Sequence, residues 1–506
     1  MIIRILILSI IMIFVGISAS AQKGFKSELR LNIEEPSGAY HVIEHEEHFF
    51  MSGQYFDNTI PAWNGFIAIY DEEGEYVKHH LLSNDTIALI NISHNVHLYE
   101  ETYNVLSVSG GLARILTYDF EQDSFYMSRK FSLADLDLVP WSMYPDFDEE
   151  TFFFAGRSGD SLRVVKVSPT DTIRYTDGEF LRDKVALNMQ VNSKDELVII
   201  AEDKRKGWKS DKDTTHIVIL DKELNLLIDN KDAENNPKMK VNRSKGMVID
   251  GEDNIVISGS HIEIIETPSP STIYHNTPSV AKFDSEGNHL WTSTIGNTIY
   301  NVYALGQWKS VIESAEKDGY VVVGGESFQP GYLSDTLIVT AAIAKLSPEG
   351  DSLWMRRYSW RTGDEVRDKF TDVVATTDGG YVAVGESAYI DPETEEDMPW
   401  IKAIIIKLDK DGLLDTSSVS TIQLDEVSQT RIFPNPATDY LYLVNESKSS
   451  LQVSILSMDG RVMDAFSSPD HTHTQVIDLA RYAAGSYVIQ VVDVAGRRKT
   501  HKFVVE

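Results

Sequence analysis

Apolar residues recur along the chain in short runs punctuated by Asp, Gly and Ser, the spacing of strands joined by tight turns. The clearest are Tyr381-Val382-Ala383-Val384-Gly385 after Asp378-Gly379-Gly380, Tyr320-Val321-Val322-Val323-Gly324 after Asp318-Gly319, and Ile255-Val256-Ile257-Ser258-Gly259 after Asp253-Asn254. Each leads, about twenty residues on, to a second apolar run that closes on a lysine: Val280-Ala281-Lys282, Ile343-Ala344-Lys345 and Ile405-Ile406-Lys407. Tyr381 follows Tyr320 by 61 residues and Lys345 follows Lys282 by 63, and such a period with several strands per unit fits a propeller or a related array. Weaker copies at Phe49, Asn104, Phe152 and Glu196 bring the count to seven units between Leu29 and about Asp425. The pattern predicts an all-β chain: a seven-bladed β-propeller over residues 22–425, then a small C-terminal β-sandwich over 426–506. Two shorter arrays or an open solenoid are the alternatives.

The ends of the repeat region fit a closed ring. The last unit trails off in Leu413-Leu414-Asp415-Thr416-Ser417, a poor strand, while Leu29-Arg30-Leu31-Asn32-Ile33 precedes the first unit with nothing to pair with. That N-terminal run is expected to complete the last unit as its outer strand, which removes two exposed sheet edges. Beyond the repeats, Leu451, Val453 and Ile455 alternate with Gln452 and Ser454, and Asp459-Gly460 and Ala495-Gly496 suit hairpin turns. Pro434 and Pro436 lack an N–H donor and mark the boundary of this last domain.

The order of features in that domain is Pro434-Asn435-Pro436, Tyr440 to Val444, Asp459-Gly460-Arg461, Gly485-Ser486-Tyr487 and a terminal Phe503-Val504-Val505. It resembles the type A C-terminal sorting domain carried by cargo of the type IX secretion system; the chain stops at Glu506, where many members end in a basic residue. The resemblance implies recognition of residues from about Thr430 onward by the outer-membrane export machinery. It also implies removal of those residues and attachment of the remainder to surface lipopolysaccharide, or its release. The other end agrees: Arg4 precedes an apolar run from Ile5 to Ile17, and Ala19-Ser20-Ala21 supplies a small-x-small cleavage site. Residues 1–21 therefore read as a signal peptide, its apolar run shorter than the ~20 apolar residues a bilayer span needs. No later run is long and apolar enough to span a membrane, so the expected destination is the extracellular space or the outer-membrane surface after Sec-type export to the periplasm.

Composition narrows the chemistry. With no Cys in 506 residues, disulfides, thiolate nucleophiles, Cys-ligated zinc and iron–sulfur clusters are all excluded. A formal net charge of −31 argues against nucleic acid as a partner. The Asp284-to-Trp291 and Ser347-to-Trp354 segments are similar to repeats of quinoprotein-type propellers and, loosely, to the Asp-box of sialidases. In those families the segment is a hairpin turn whose Gly takes positive φ and whose Trp packs between blades, so a structural role is expected. The repeated Lys282, Lys345 and Lys407 read as strand-end charges, with a ring that attracts anions as the alternative.

No catalytic residue is identified. Acidic loop residues such as Asp146, Asp148, Glu149, Glu150, Asp391 and Glu393 supply carboxylates for a glycan hydrolase or lyase with its site in a propeller funnel, but their abundance names no pair. His41, His45 and His48, His79 and His80, and His94 and His97 lie close in sequence without the further ligands a zinc site requires. No cofactor is expected; calcium is the one candidate ion, at oxygen-rich turns such as Asp250-Gly251-Glu252-Asp253-Asn254 and Asp409-Lys410-Asp411-Gly412. Units five to seven carry excursions at Glu263–Thr277, Phe328–Thr336 and Tyr389–Trp400, which on one face build a rim of Tyr274, Phe328, Tyr332, Tyr389 and Trp400 suited to a glycan or protein ligand. The expectation is a noncatalytic binding module, with a secreted polysaccharide hydrolase or lyase as the alternative.

Overall fold

The computed structural model describes residues 24–29, 36–57, 62–82, 96–170, 173–176, 182–203, 215–230, 242–265, 273–295, 307–328, 338–360, 367–389, 400–414, 430–433, 435–438, 440–445, 451–457, 462–468, 474–479, 482–493 and 498–505. After β1 (Phe25–Glu28), the strands fall into antiparallel meanders, the sixth and seventh of which are joined in one eight-stranded sheet by a single parallel pairing of Val339 with Arg367. Unit one is β2 (Ser37–His45), β3 (His48–Asp57), β4 (Ala62–Asp71) and β5 (Tyr76–Leu82); unit two is β6 (Val96–Tyr99), β7 (Thr102–Ser109), β8 (Leu112–Asp119) and β9 (Ser124–Ser132). Unit three is β10 (Val139–Asp146), β11 (Thr151–Ser158), β12 (Ser161–Val167) and β13 (Ile173–Tyr175); unit four is β14 (Lys184–Val191), β15 (Leu197–Asp203), β16 (Thr215–Leu220) and β17 (Leu226–Asn230). Unit five is β18 (Asn242–Ile249), β19 (Ile255–Ile265), β20 (Ile273–Phe283) and β21 (His289–Thr294); unit six is β22 (Gln307–Glu313), β23 (Tyr320–Phe328), β24 (Ile338–Leu346) and β25 (Ser352–Tyr358). Unit seven has three consecutive strands, β26 (Arg367–Ala375), β27 (Tyr381–Tyr389) and β28 (Trp400–Leu408), and takes β1 as its fourth. Among the described residues no helix is long and apolar enough to cross a membrane.

The units pack face to face in a ring. Each propeller core cluster joins two consecutive units, for instance Phe153 and Val164 of unit three with Ile199 and Val218 of unit four, and one joins Val384 and Ile405 of unit seven to Phe49 and Met51 of unit one. Middle strands are thus covered on both faces, which is why β16 is buried at every position and reads as an unbroken apolar run. Outer strands face solvent on one side, and β17 is exposed or half-buried throughout.

Closure depends on β1, whose Phe25 pairs with Lys407 and Glu28 with Ile404. The sequence placed this strand at Leu29–Ile33; the structure pairs the four residues before it, the Leu29 N–H continues the ladder 2.9 Å from the Ala403 carbonyl, and residues 30–33 lie outside the described residues. The physical reason is a repeated fit between outer-strand aromatics and turn glycines. A Cβ at Gly350 would lie 2.8 Å from Trp291, one at Gly412 2.5 Å from Trp354, and one at Gly74 2.0 Å from the Phe25 ring. All three glycines have positive φ, so one residue both makes the hairpin turn and admits the neighbouring unit's ring. Phe25 fills the role of the two tryptophans, and Leu29 is buried in the closing cluster beside it. Trp360 fastens β1 from unit six, its indole N–H donating to the Ser27 carbonyl at 3.3 Å.

The lysines of the third strands are not a ring of free charge. Lys282, Lys345 and Lys407 are buried, and each faces the aspartate of its own unit's first hairpin: Asp250 at 3.3 Å, Asp318 at 2.7 Å and Asp378 at 2.8 Å. A charge so placed is retained only with its partner.

The C-terminal residues form a two-sheet sandwich. One sheet is β29 (Thr430–Phe433), β30 (Tyr440–Asn445) and β33 (Thr474–Asp478); the other orders β32 (Val462–Ser468), β31 (Leu451–Ser457), β34 (Gly485–Asp493) and β35 (Arg498–Val505). Its core of Leu441, Leu443, Val453, Ile455, Ile489, Val491 and Phe503 includes no propeller residue. Tyr487 stacks on Phe503 with ring centroids 5.7 Å apart and donates its hydroxyl to the Ala483 carbonyl at 2.9 Å. The Asn435 side chain acts as a piece of strand: its amide donates to the Lys502 carbonyl and accepts from the Val504 N–H, both at 3.0 Å. Pro436 follows it in the described turn, and Gly485 opens β34 opposite Val505. Pro434, Asp459 and Gly460 lie outside the described residues.

Candidate functional site

The two ends of the ring differ in kind. First-to-second and third-to-fourth strand connections lie at one end and are tight, none longer than the six residues 314–319. At the other end second strands finish, third strands begin and consecutive units are linked; the stretches 83–95, 204–214, 231–241, 296–306 and 390–399 that join strand ends there lie outside the described residues. The three excursions of units five to seven all run from a second to a third strand, so they leave the scaffold at this loop end. Tyr389 pairs with Trp400, Phe328 with Ile338 and Tyr274 with Ile264 at the bases of these hairpins. Tyr332 lies outside the described residues, and the other four are placed by their backbone alone.

Inside the loop end, the first strands share a device that strand periodicity does not reveal. In units one, three, four, five, six and seven the register slips in the first half of the strand, at Ala39/His41, Pro140/Ser142, Ala186/Asn188, Asn242/Gly246, Trp308/Ser310 and Phe370/Asp372. Such bulges turn side chains out of the ladder and re-aim them. The residues displaced include Tyr40, Trp141, Leu187, Lys309 and Thr371, and Trp141 stays 40% exposed with Val139 50% exposed two residues before it. Exposure of two large apolar groups on an innermost strand marks an accessible mouth.

Polar groups gather where unit seven meets its neighbours. Lys369 Nζ lies 2.7 Å from Glu386 Oε1, and the Tyr40 hydroxyl donates to Gln54 Oε1 at 3.3 Å. Burial, and then the Glu386 charge, raise the Tyr40 phenol above its usual range. In unit six Glu326 is gripped by the Arg357 fork, with Nη2 3.0 Å from Oε1. Lys26 of β1 lies 4.6 Å over the Trp360 ring and donates to the Ser359 carbonyl, and burial lowers its pKa. Nearby Asp368 accepts from the Trp360 N–H at 2.8 Å and is pushed up to about 6 by burial.

Asp372 is buried and held from two neighbouring units. Its Oδ1 accepts from Ser310 of unit six at 2.8 Å and its Oδ2 from the Val42 N–H of unit one at 3.2 Å, so one carboxyl ties three units together. Burial pushes it up to about 7. Asp368 and Asp372 share a strand, but the bulge between them sends one toward Trp360 and the other toward Ser310 and Val42.

The other residues of interest in the sequence take separate places. His41 is buried 3.9 Å from Asp372, His45 stacks on Phe120 at 3.8 Å, and His97 faces the Met143 carbonyl at 2.9 Å. His80 lies 3.0 Å from Asp123, whose carboxyl is held down at about 2 by its hydrogen bonds from Lys78 and Tyr118. His94 lies outside the described residues. At the oxygen-rich turns the aspartates accept from their own hairpins: Asp250 Oδ1 from the Glu252 and Asn254 N–H groups at 2.9 Å, Asp409 Oδ1 from those of Asp411 at 2.9 Å and Leu413 at 2.7 Å. Among the described residues no group of three or more metal-ligating side chains converges.

Comparison with known proteins adds one firm point. The chain is similar in structure to the β-propeller domain of the Trilobed protease from Pyrococcus furiosus, with a TM-score of 0.40 and 10% identity over 77% of this chain and 100% of that one. It is similar also to Sqt1 from Chaetomium thermophilum, with a TM-score of 0.40 and 10% identity over 74% and 90%. No curated protein matches it in sequence. Residues 431–506 match the family model described as "Secretion system C-terminal sorting domain". The chain is thus a β-propeller that ends, at residues 431–506, in a type IX secretion C-terminal sorting domain.

Proposed function

We propose that this protein is a secreted or surface-held binding module that takes a glycan or protein ligand at the loop end of its propeller. The observation that carries the reading is the asymmetry of the ring. One end is closed by tight turns, and the other combines the long connections with an exposed apolar stretch, Val139 and Trp141, on an inner strand. Rigid scaffolds that present variable loops at one end suit recognition. The sorting domain supports delivery by the outer-membrane export machinery, with a Sec-type step through the Met1–Ala21 leader before it. The mouth carboxylates favour binding over acid–base hydrolysis. Glu386 and Glu326 are each paired with a cation, whereas a glycosidase needs two carboxyls about 5–10 Å apart facing one bond.

The test is a glycan and peptide array probed with the purified full chain, with product release from retained polysaccharides measured in parallel. Binding without turnover is the expected outcome. Release of oligosaccharides, or no retention on any spot, overturns the reading.

A further inference from the structure

The inner strands divide the loop-end mouth by charge. In the loop-side halves of the first strands, units one to three carry no Lys or Arg and present Tyr40, Val139 and Trp141. Units six and seven present Lys309, Arg367 and Lys369 in the same halves, and the backbone of unit five places Arg243 and Lys245 at the matching strand positions. Arg243 and Lys245 fall within the slipped register between Asn242 and Gly246, and Lys309 is the displaced residue of the next unit. These two bulges abut: a Cβ on Gly246 would lie 3.0 Å from the Lys309 carbonyl oxygen. Arg367 is exposed, and Lys369 keeps 35% of its side chain in solvent while paired with Glu386. The acids on the same stretch, Asp368 and Asp372, are buried and bonded internally.

In a chain of net charge −31, Lys309, Arg367 and Lys369 on one arc of an inner rim are a departure from the average that electrostatics turns into selectivity. An aromatic and aliphatic arc opposite a cationic arc suits a ligand with ring faces to stack and repeated negative groups to pair.

We propose that the mouth binds an anionic polysaccharide, its carboxylate or sulfate groups held by the inner strands of units five to seven and its sugar faces resting against Trp141. This rests on the binding reading above and names the class of ligand. The full chain is titrated by fluorescence anisotropy with labelled polygalacturonate, dextran sulfate, neutral dextran and a single-stranded DNA of matched length. Binding of either anionic polysaccharide is expected, weakening about tenfold or more between about 50 and 500 mM NaCl. The pair Lys309→Gln with Arg367→Gln is expected to weaken it about tenfold, and Lys130→Gln on the outer strand of unit two to leave it unchanged. Preference between polygalacturonate and dextran sulfate distinguishes carboxylate from sulfate as the bound group. Arg367→Lys, which keeps the charge, guards against a folding defect. The proposal is overturned if neutral dextran binds equally well, if the double variant binds as the parent does, if DNA competes on equal terms, or if neither anionic polymer binds. Array binding of a neutral glycan or peptide alone refutes the anionic ligand while leaving the binding reading intact.

Discussion

Replacing Asp372 with Asn tests how the ring is held shut. The carboxyl accepts from Ser310 Oγ and the Val42 N–H, and burial shifts its pKa from 3.8 to about 7. The folded state therefore binds the proton more tightly than the unfolded chain. Stability from this group is fully present below pH ~4, falls as pH rises through the window from about 4 to 7, and stays lowered above it. A displacement of that size corresponds to a cost of about 4 kcal/mol once the group is ionised. Asparagine presents one oxygen to the Val42 N–H and its NH2 to Ser310 Oγ, copying the protonated acid without the charge. Urea unfolding followed by tryptophan fluorescence at pH 4.5 and pH 8 is the assay. Asp372→Asn should match the parent near pH 4.5 and exceed it at pH 8 by an amount on the order of 2–4 kcal/mol. His41 Nδ1 lies 3.9 Å from the same carboxyl, and the buried Tyr103 phenol also interacts with it, so the comparison is repeated in His41→Gln. A parent-to-variant difference that does not change between the two pH values would refute the assignment.

Further outcomes follow from the seams and the tail. Gly412→Ala places a Cβ 2.5 Å from Trp354 at a residue of φ +70° and should cost about 2–4 kcal/mol, whereas Gly110→Ala, with positive φ but open space, should cost about 1 kcal/mol; thermal melts of both variants decide. Asn435→Ala removes both side-chain bonds to β35 and should destabilise the sandwich by about 1–2 kcal/mol, read by urea titration of the excised sandwich against the same fragment without the change. Deletion of Arg431–Glu506 should leave the propeller in the periplasm, checked by fractionation; normal surface delivery of the truncation would contradict the role of the tail.

What the sequence revealed follows from where each signal is local. Middle strands such as Val321–Gly324 are covered on both faces, so their apolar runs stand out without any partner in view. The position of β1 is set by Phe25 filling the space over Gly74, a contact between residues 49 positions apart, while Leu29–Ile33 alternates better and draws the eye. The buried state of Lys282 depends on Asp250 in the preceding hairpin, which a single strand does not display. The mouth was least legible, because a bulge looks like a fault in period two; Lys309 and Trp141 became candidates only once strand pairing showed the slips around them. The excursions were visible as polar insertions, and topology explains why they leave by one end.

Because β1 lies against β28, the seventh unit receives the beginning of the chain and also sends the tail on its way. Traction applied through the tail during export would reach that sheet before any other, where β28 is held along its whole length by β27 on one side and by the four-residue β1, pegged by Phe25 and by Trp360, on the other. Of those two holds the one to β1 is the shorter, so a cargo pulled from behind would begin to peel where its two ends meet.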